Sequence, residues 1–280
     1  MTFETLIGGL DFGEGPRWHD DKLWYSDFFR HQVRTVDLEA NETVVVEIED
    51  SPSGLGWLPD GTLLIVAMAT RQVLRLDDDG STSVHADLSD FTESNCNDMV
   101  VDADGHAWVG NFGFDLHGGA EPAMARLAHV APDGTVSEAA DELAFPNGAV
   151  ITPDRATLIV GETFGFRYTA FTIGADKTLS DRRVWASAGN ALPDGCTLDA
   201  DGGIWLADAG GSRCLRLTEG GEVTDEIATH QPVFACMLGG PDGRTLFALT
   251  AADSHPDKAA GSGTGTIDIA TVDVPHAGRP

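Results

Sequence analysis

The sequence is poor in basic residues, in cysteine and in long apolar runs. Its 280 residues carry 17 Lys and Arg against 45 Asp and Glu, a formal net charge of −28, and only three of the bases are lysine. Binding a phosphate backbone requires clustered Lys and Arg that release counterions, so nucleic acid is excluded as a partner. An anionic membrane surface repels such a chain. No run approaches the roughly 20 apolar residues of a membrane-spanning helix. The stretch Met1–Leu10 has neither the basic region nor the long apolar run of a secretory signal. The four cysteines, Cys96, Cys196, Cys214 and Cys236, form no CxxC pair and no Cys/His cluster of zinc type, which predicts reduced, buried thiols in a cytoplasmic protein. A hydrophobic content of 42% is ample for a packed core, so disorder is excluded despite the charge. The acidity leaves one class of partner open, the divalent cations.

What is present is a repeat. A short apolar run, a turn and a second run rich in Trp, Leu, Ile and Val recur as WHDDKLWYSD, WLPDGTLLIVA, VDADGHAWVGN, ITPDRATLIVGE, LDADGGIWLAD and GGPDGRTLFALT. Asp-Gly between apolar runs is a strong hairpin signal, because Gly accepts positive φ. The turn aspartates Asp21, Asp60, Asp104, Asp154, Asp201 and Asp242 are 39, 44, 50, 47 and 41 residues apart. Such periods, built of short strands, predict an all-β, six-bladed β-propeller with four antiparallel strands per blade, one domain over residues 1–280. No capped helical stripe is visible. The strictly alternating TIDIATVDV (266–274) is a strand past the sixth hairpin, expected to close the ring with the N-terminal segment. The glycine-rich GSGTGT (261–266) lacks the Lys and following helix of a phosphate loop and reads as a flexible connection. Trp18, Trp24, Trp57, Trp108 and Trp205 recur beside the hairpins and are expected to pack between blades.

The residue seven before each turn aspartate is Glu14, Ser53, Asn97, Asn147, Asp194 and Ala235. Each begins the strand preceding the hairpin, and equivalent positions in a propeller lie on a ring around its axis. Any one of them alone reads as a turn cap or a wet channel residue. Four oxygen donors in register, without His or Cys, read as a site for a hard divalent cation, Ca²⁺ foremost, with Zn²⁺, Mn²⁺ and Mg²⁺ as alternatives. A second column, Asp27, Asn111, Glu162 and Asp208, ends the strands that run back to the same face. Two readings stay open for it: partners that orient the ligands, with Asn111 also a candidate substrate contact, or solvated loop residues.

Glu14-Gly15-Pro16-x-Trp18, Asn97-Asp98, Pro146-Asn147-Gly148 and Pro193-Asp194-Gly195 together resemble the gluconolactonase family, also called the senescence marker protein 30 or regucalcin family, from Leu10 to about Asp273. The resemblance implies one divalent metal in the channel, with Glu14, Asn147 and Asp194 as ligands. It places Asn97 beside the metal, against substrate or a metal-bound water. It implies hydrolysis of lactones, often of aldonic acids such as gluconolactone, with Asp194 as general base. Two departures concern specificity. Asn95 stands where aldonolactone-specific members often have Arg, and the loop GNFGFDLHGG (110–119) brings Phe112, Phe114, Leu116 and His117 toward the mouth.

A Ser-His-Asp triad has no support, since there is no GxSxG and the nine histidines are scattered. Cys196 reads as a small core residue. Two alternatives to a metal-dependent lactonase remain: a related propeller hydrolase of phosphorus esters, and a non-enzymatic calcium-binding or metabolite-sensing propeller.

Overall fold

The computed structural model describes residues 1–278, and in them the repeat becomes six four-stranded antiparallel sheets arranged as a six-bladed β-propeller. The strands nearest the axis are Gly13–His19, Pro52–Trp57, Cys96–Val101, Pro146–Ile151, Pro193–Leu198 and Val233–Gly239. In each of the first five blades the chain runs outward strand by strand. The sixth is built from both ends of the chain: Glu4–Leu10 pairs antiparallel with Gly265–Thr271, as its outermost strand. The only α-helix among the described residues is the single turn Pro256–Ala259.

Burial follows distance from the axis. The inner strands Cys96–Val101, Pro146–Ile151 and Pro193–Leu198 are buried at every residue, whereas the outermost strand Glu42–Glu47 is mostly exposed. Strands covered on both faces lose the alternation of a half-exposed sheet. This is why these inner runs read as small or apolar residues beyond the polar positions near their starts. The core lies between blades. Trp18 of the first blade stacks on Phe247 of the sixth at 5.5 Å, and Trp24 meets Trp57 of the second edge-on at 5.5 Å. Trp108 and Trp205 are fully buried, and all four cysteines are buried and unpaired.

The excess of aspartate over glutamate has a local cause. Asp60, Asp133, Asp154, Asp176 and Asp242 each accept a hydrogen bond from the backbone N–H two residues on, the Asx-turn that tightens the hairpins. These bonds hold the carboxyls of Asp60 and Asp133 below their usual range, and for Asp154 and Asp176 the hydroxyls of Thr152 and Thr178 lower them further than the N–H groups do. Much of the acidity therefore belongs to turns.

The glycine-rich connection is tied down rather than free. The Gly261 and Gly263 N–H groups donate to the two oxygens of buried Asp11, at 2.8 and 3.1 Å. Asp11 directly follows the N-terminal strand, so its carboxylate fastens the two chain ends where the ring closes. Leaving two N–H groups without a charged acceptor costs about 2–3 kcal/mol. Asp11→Ala is accordingly expected to lower the unfolding free energy by that amount, read as a lower urea midpoint at unchanged slope, and to open residues 261–264 to proteolysis. An unchanged midpoint and cleavage pattern would show that closure does not depend on this carboxylate.

Candidate active site

Each inner strand carries a register irregularity near its start: between Glu14 and Arg17, Pro52 and Leu55, Cys96 and Met99, Pro146 and Ala149, Pro193 and Cys196, and Val233 and Ala235. A bulge bends a strand and re-aims one side chain. Here its repetition coincides with the column identified in the sequence. Glu14, Asn97, Asn147 and Asp194 all line one cavity of about 510 Å³, while Ser53 and Ala235 do not.

Close approach of neighbouring inner strands explains the glycines that follow these donors. A Cβ on Gly148 would lie 2.5 Å from the Asp194 carbonyl oxygen and 2.7 Å from the Cys196 nitrogen. One on Gly195 would meet Ala235 at 2.7 Å. The Asn-Gly and Asp-Gly pairs of the inner strands are thus a packing requirement at the axis, unlike the Asp-Gly pairs of the hairpin turns.

The charge at the cavity floor is out of balance. Glu14 and Asp194 are buried with Asp98, and the cation facing Glu14 is Arg17. Arg17 donates from one nitrogen to Asp98 at 2.8 Å and to the Met99 carbonyl, and from another to the Pro16 carbonyl at 2.8 Å. Fully ionised, three carboxylates against one guanidinium would leave two negative charges uncompensated. Burial raises the Glu14 carboxyl well above its usual range, with repulsion from Asp194 and Asp98 adding to it and the Gly15 N–H and Arg17 opposing. Burial likewise pushes Asp194 up to about 8; the Asn147 amide opposes the shift and Asp98 reinforces it.

The donor chemistry fits a hard divalent cation: two carboxylates and two amide oxygens, with a surplus of two negative charges. Among the described residues no three His, Cys, Asp or Glu side chains gather to form a metal site. Two of the four donors here are amides. The orientation of Asn147 suits the role, because its Nδ2 donates to Thr163 Oγ1 at 3.2 Å and Thr163 Oγ1 donates to the Pro193 carbonyl at 2.6 Å. That chain occupies the amide nitrogen and leaves Oδ1 as the donor.

The second column is neither solvated nor part of the cavity wall. Asp27 accepts from the Phe12 N–H at 3.1 Å, Glu162 from the Ala144 N–H at 2.8 Å and Asp208 from the Leu192 N–H at 3.0 Å. Each fixes the backbone just ahead of an inner strand that carries a donor, so these acids position Glu14, Asn147 and Asp194 from behind. Asn111 is engaged with Ser94, the Gly113 N–H and the Arg126 carbonyl and does not line the cavity, contrary to its reading as a substrate contact. Phe114 also lies behind the wall, against Phe145 and Phe164 at 6.1 and 5.9 Å. Asn95 and His117 do line the cavity. His117 packs edge-on against Phe112 and His255, and burial, with His255, lowers its tendency to protonate.

The sequence reading missed Arg17, Asp98 and Thr163. Of the walls it had only Asn95 and the share of the 110–119 loop, Phe112, Leu116 and His117, although the repeat held the signal for the rest. Two residues before the axial column stand Phe12, Ser51, Asn95, Phe145 and Leu192, all lining the cavity. One residue after the second strand of each of the first five blades stand Phe28, Met68, Phe112, Thr163 and Ala209, lining it as well.

Fold and site together define a six-bladed propeller with an acidic, oxygen-lined centre on its axis. The chain belongs to the family whose shared region is described as SMP-30/gluconolactonase/LRE-like, matched over residues 12–252. It is 28% identical to pentonolactonase XacC of Haloferax volcanii, over 100% of this chain and 97% of that one. It is 25% identical to 6-deoxy-6-sulfogluconolactonase of Pseudomonas putida, over 96% and 94%. Among solved structures, a calcium-binding protein, regucalcin, from Agrobacterium tumefaciens superposes with a TM-score of 0.82 at 21% identity, covering 100% of this chain and 96% of that one. That likeness is one of fold.

Two expectations follow. A carboxyl raised on folding favours the folded state while it holds its proton, below its unfolded value, and loses that advantage as pH rises through the folded value. Without divalent cations, the protein should therefore lose stability between about pH 4 and 8, and Asp194→Asn should flatten that slope; identical profiles would remove the buried carboxylate as its cause. Gly148→Ala is expected to cost about 1–3 kcal/mol in urea unfolding, and full wild-type stability would contradict the close approach at the axis.

Proposed function

We propose that this protein hydrolyses a lactone with the aid of one divalent cation held by Glu14, Asn147 and Asp194, with Ca²⁺ favoured by the all-oxygen donor set. The observation carrying this reading is the ring of four oxygen donors with two uncompensated charges at the floor of an open cavity. The relatives named as sugar lactonases support the substrate class, and sugar lactones such as gluconolactone fall within this chemistry.

A cation bound there supplies Lewis-acid polarisation of the lactone carbonyl and stabilises negative charge on its oxygen. The chain's own groups do the rest. Asp194 keeps one carboxylate oxygen to take a proton from the attacking water, whose oxygen bonds to the carbonyl carbon. The ring C–O bond then breaks, and the proton passes to the leaving alkoxide, giving a hydroxy acid. Asn97 offers its amide to the ring oxygen or a neighbouring hydroxyl. Thr163 holds Asn147 in place, and the Arg17–Asp98 pair braces the strand after Asn97.

Asp194→Asn should reduce kcat/KM by at least about a thousandfold, since it removes both the base and a ligand charge. Verified chelation should abolish turnover and calcium should restore it. Unaltered activity after either treatment would overturn the mechanism, and saturable cation binding with no turnover of any lactone would favour a binding propeller instead.

A further inference from the structure

The cavity has a polar floor and apolar walls. Of its 22 lining residues 13 are apolar, and seven of those are phenylalanine, more than half of the 13 in the chain. They form two facing groups. On one side Phe12 packs against Phe234 at 4.7 Å, Phe28 at 5.3 Å and Phe29 at 5.9 Å. On the other, Phe145 stacks on Phe112 at 4.7 Å and meets Phe164 at 5.1 Å. Met68 and Leu116 join the same hydrophobic cluster, which gathers around the cavity rather than between two blades.

These phenylalanines come from segments at both ends of the inner hairpins in four blades, so no single loop accounts for them. Five of the seven are buried, which separates a concave wall from an exposed docking patch. Beyond the four axial donors, the polar side chains lining the cavity are Ser51, Asn95, His117, Thr163 and Ser254. Thr163 is already engaged with Asn147 and Pro193.

We infer that the preferred substrate is a lactone bearing an apolar alkyl or aryl arm, seated between the two phenylalanine groups while its ester reaches the axial donors. This inference rests on the lactonase reading and narrows it. Burying each methylene of such an arm favours binding by roughly three- to fourfold. A polyhydroxylated ring faces the reverse effect: a hydroxyl turned to these walls gives up water without a replacement partner, which costs on the order of tenfold.

The test compares δ-valerolactone, δ-hexalactone, δ-octalactone, δ-decalactone and glucono-δ-lactone on the calcium-loaded wild-type protein. All present the same six-membered ester, so substituents alone separate them. kcat/KM is expected to rise by roughly three- to fourfold per added methylene until the cavity is filled, and to exceed that of glucono-δ-lactone. Phe164→Ser, at a half-exposed position of the wall, should reduce the slope while the circular dichroism spectrum stays native. A flat series, a preference for glucono-δ-lactone, or an unchanged slope in folded Phe164→Ser overturns this inference and leaves lactone hydrolysis standing. Failure to open any lactone overturns both.

Discussion

The rest of this structure depends on two carboxylates, Glu14 and Asp194, held out of water at one place on the axis of the ring. With Asp98 beside them and one guanidinium in reach, both ionise only against burial and mutual repulsion, which raise the two carboxyls above their usual range. Such a cluster persists only where the surrounding structure over-determines it and where a bound cation can offset the repulsion. The propeller meets the first condition by drawing strands from different blades to a single axis. Glycines at the contact allow the backbones to approach, and a bulge in each inner strand turns the donor inward.

Around that centre the protein is layered. Behind the donors, Asp27, Glu162 and Asp208 grip the backbone that leads into the donor strands. Above them the walls turn apolar. The polarity of the site thus changes sharply between floor and mouth, and under the proposed function this gradient divides recognition of the ester from recognition of its substituent. The formal charge of −28 bears little on either. Much of the aspartate shapes hairpins by accepting neighbouring N–H groups.

The fold was legible in the sequence because its information is local and repeated. An Asp-Gly turn between apolar runs specifies a hairpin by itself, and six hairpins at propeller spacing, four of them with Asp-Gly turns, specify the architecture. The donor column was legible for a related reason: register carries a position from one blade to the next, so Glu14, Asn97, Asn147 and Asp194 aligned without knowledge of the coordinates. What stayed hidden depends on contacts across the ring. Arg17 reaches Asp98, 81 residues away, and neither residue advertises a partner. The bulges break strand alternation, so side-chain direction near the donors cannot be read by counting; Cys196, two residues after Asp194, packs in the core between the fourth and fifth blades as its residue type suggested. Asn111 occupied an attractive position in its column, but its amide is consumed by neighbouring groups of its own blade. The walls were recoverable in part, since the column two residues before the donors reads Phe, Ser, Asn, Phe, Leu, though nothing local marks those residues as facing a cavity.

The central claim is that the buried carboxylates belong to a divalent cation. Calorimetric titration of the chelator-treated protein with calcium addresses it directly, alongside the Glu14→Gln and Asp194→Asn variants. The account requires saturable binding of one ion per chain in the wild type, weakened by at least about a hundredfold in either variant. Absence of saturable binding by calcium, manganese and zinc, or equal affinity in all three proteins, would contradict it.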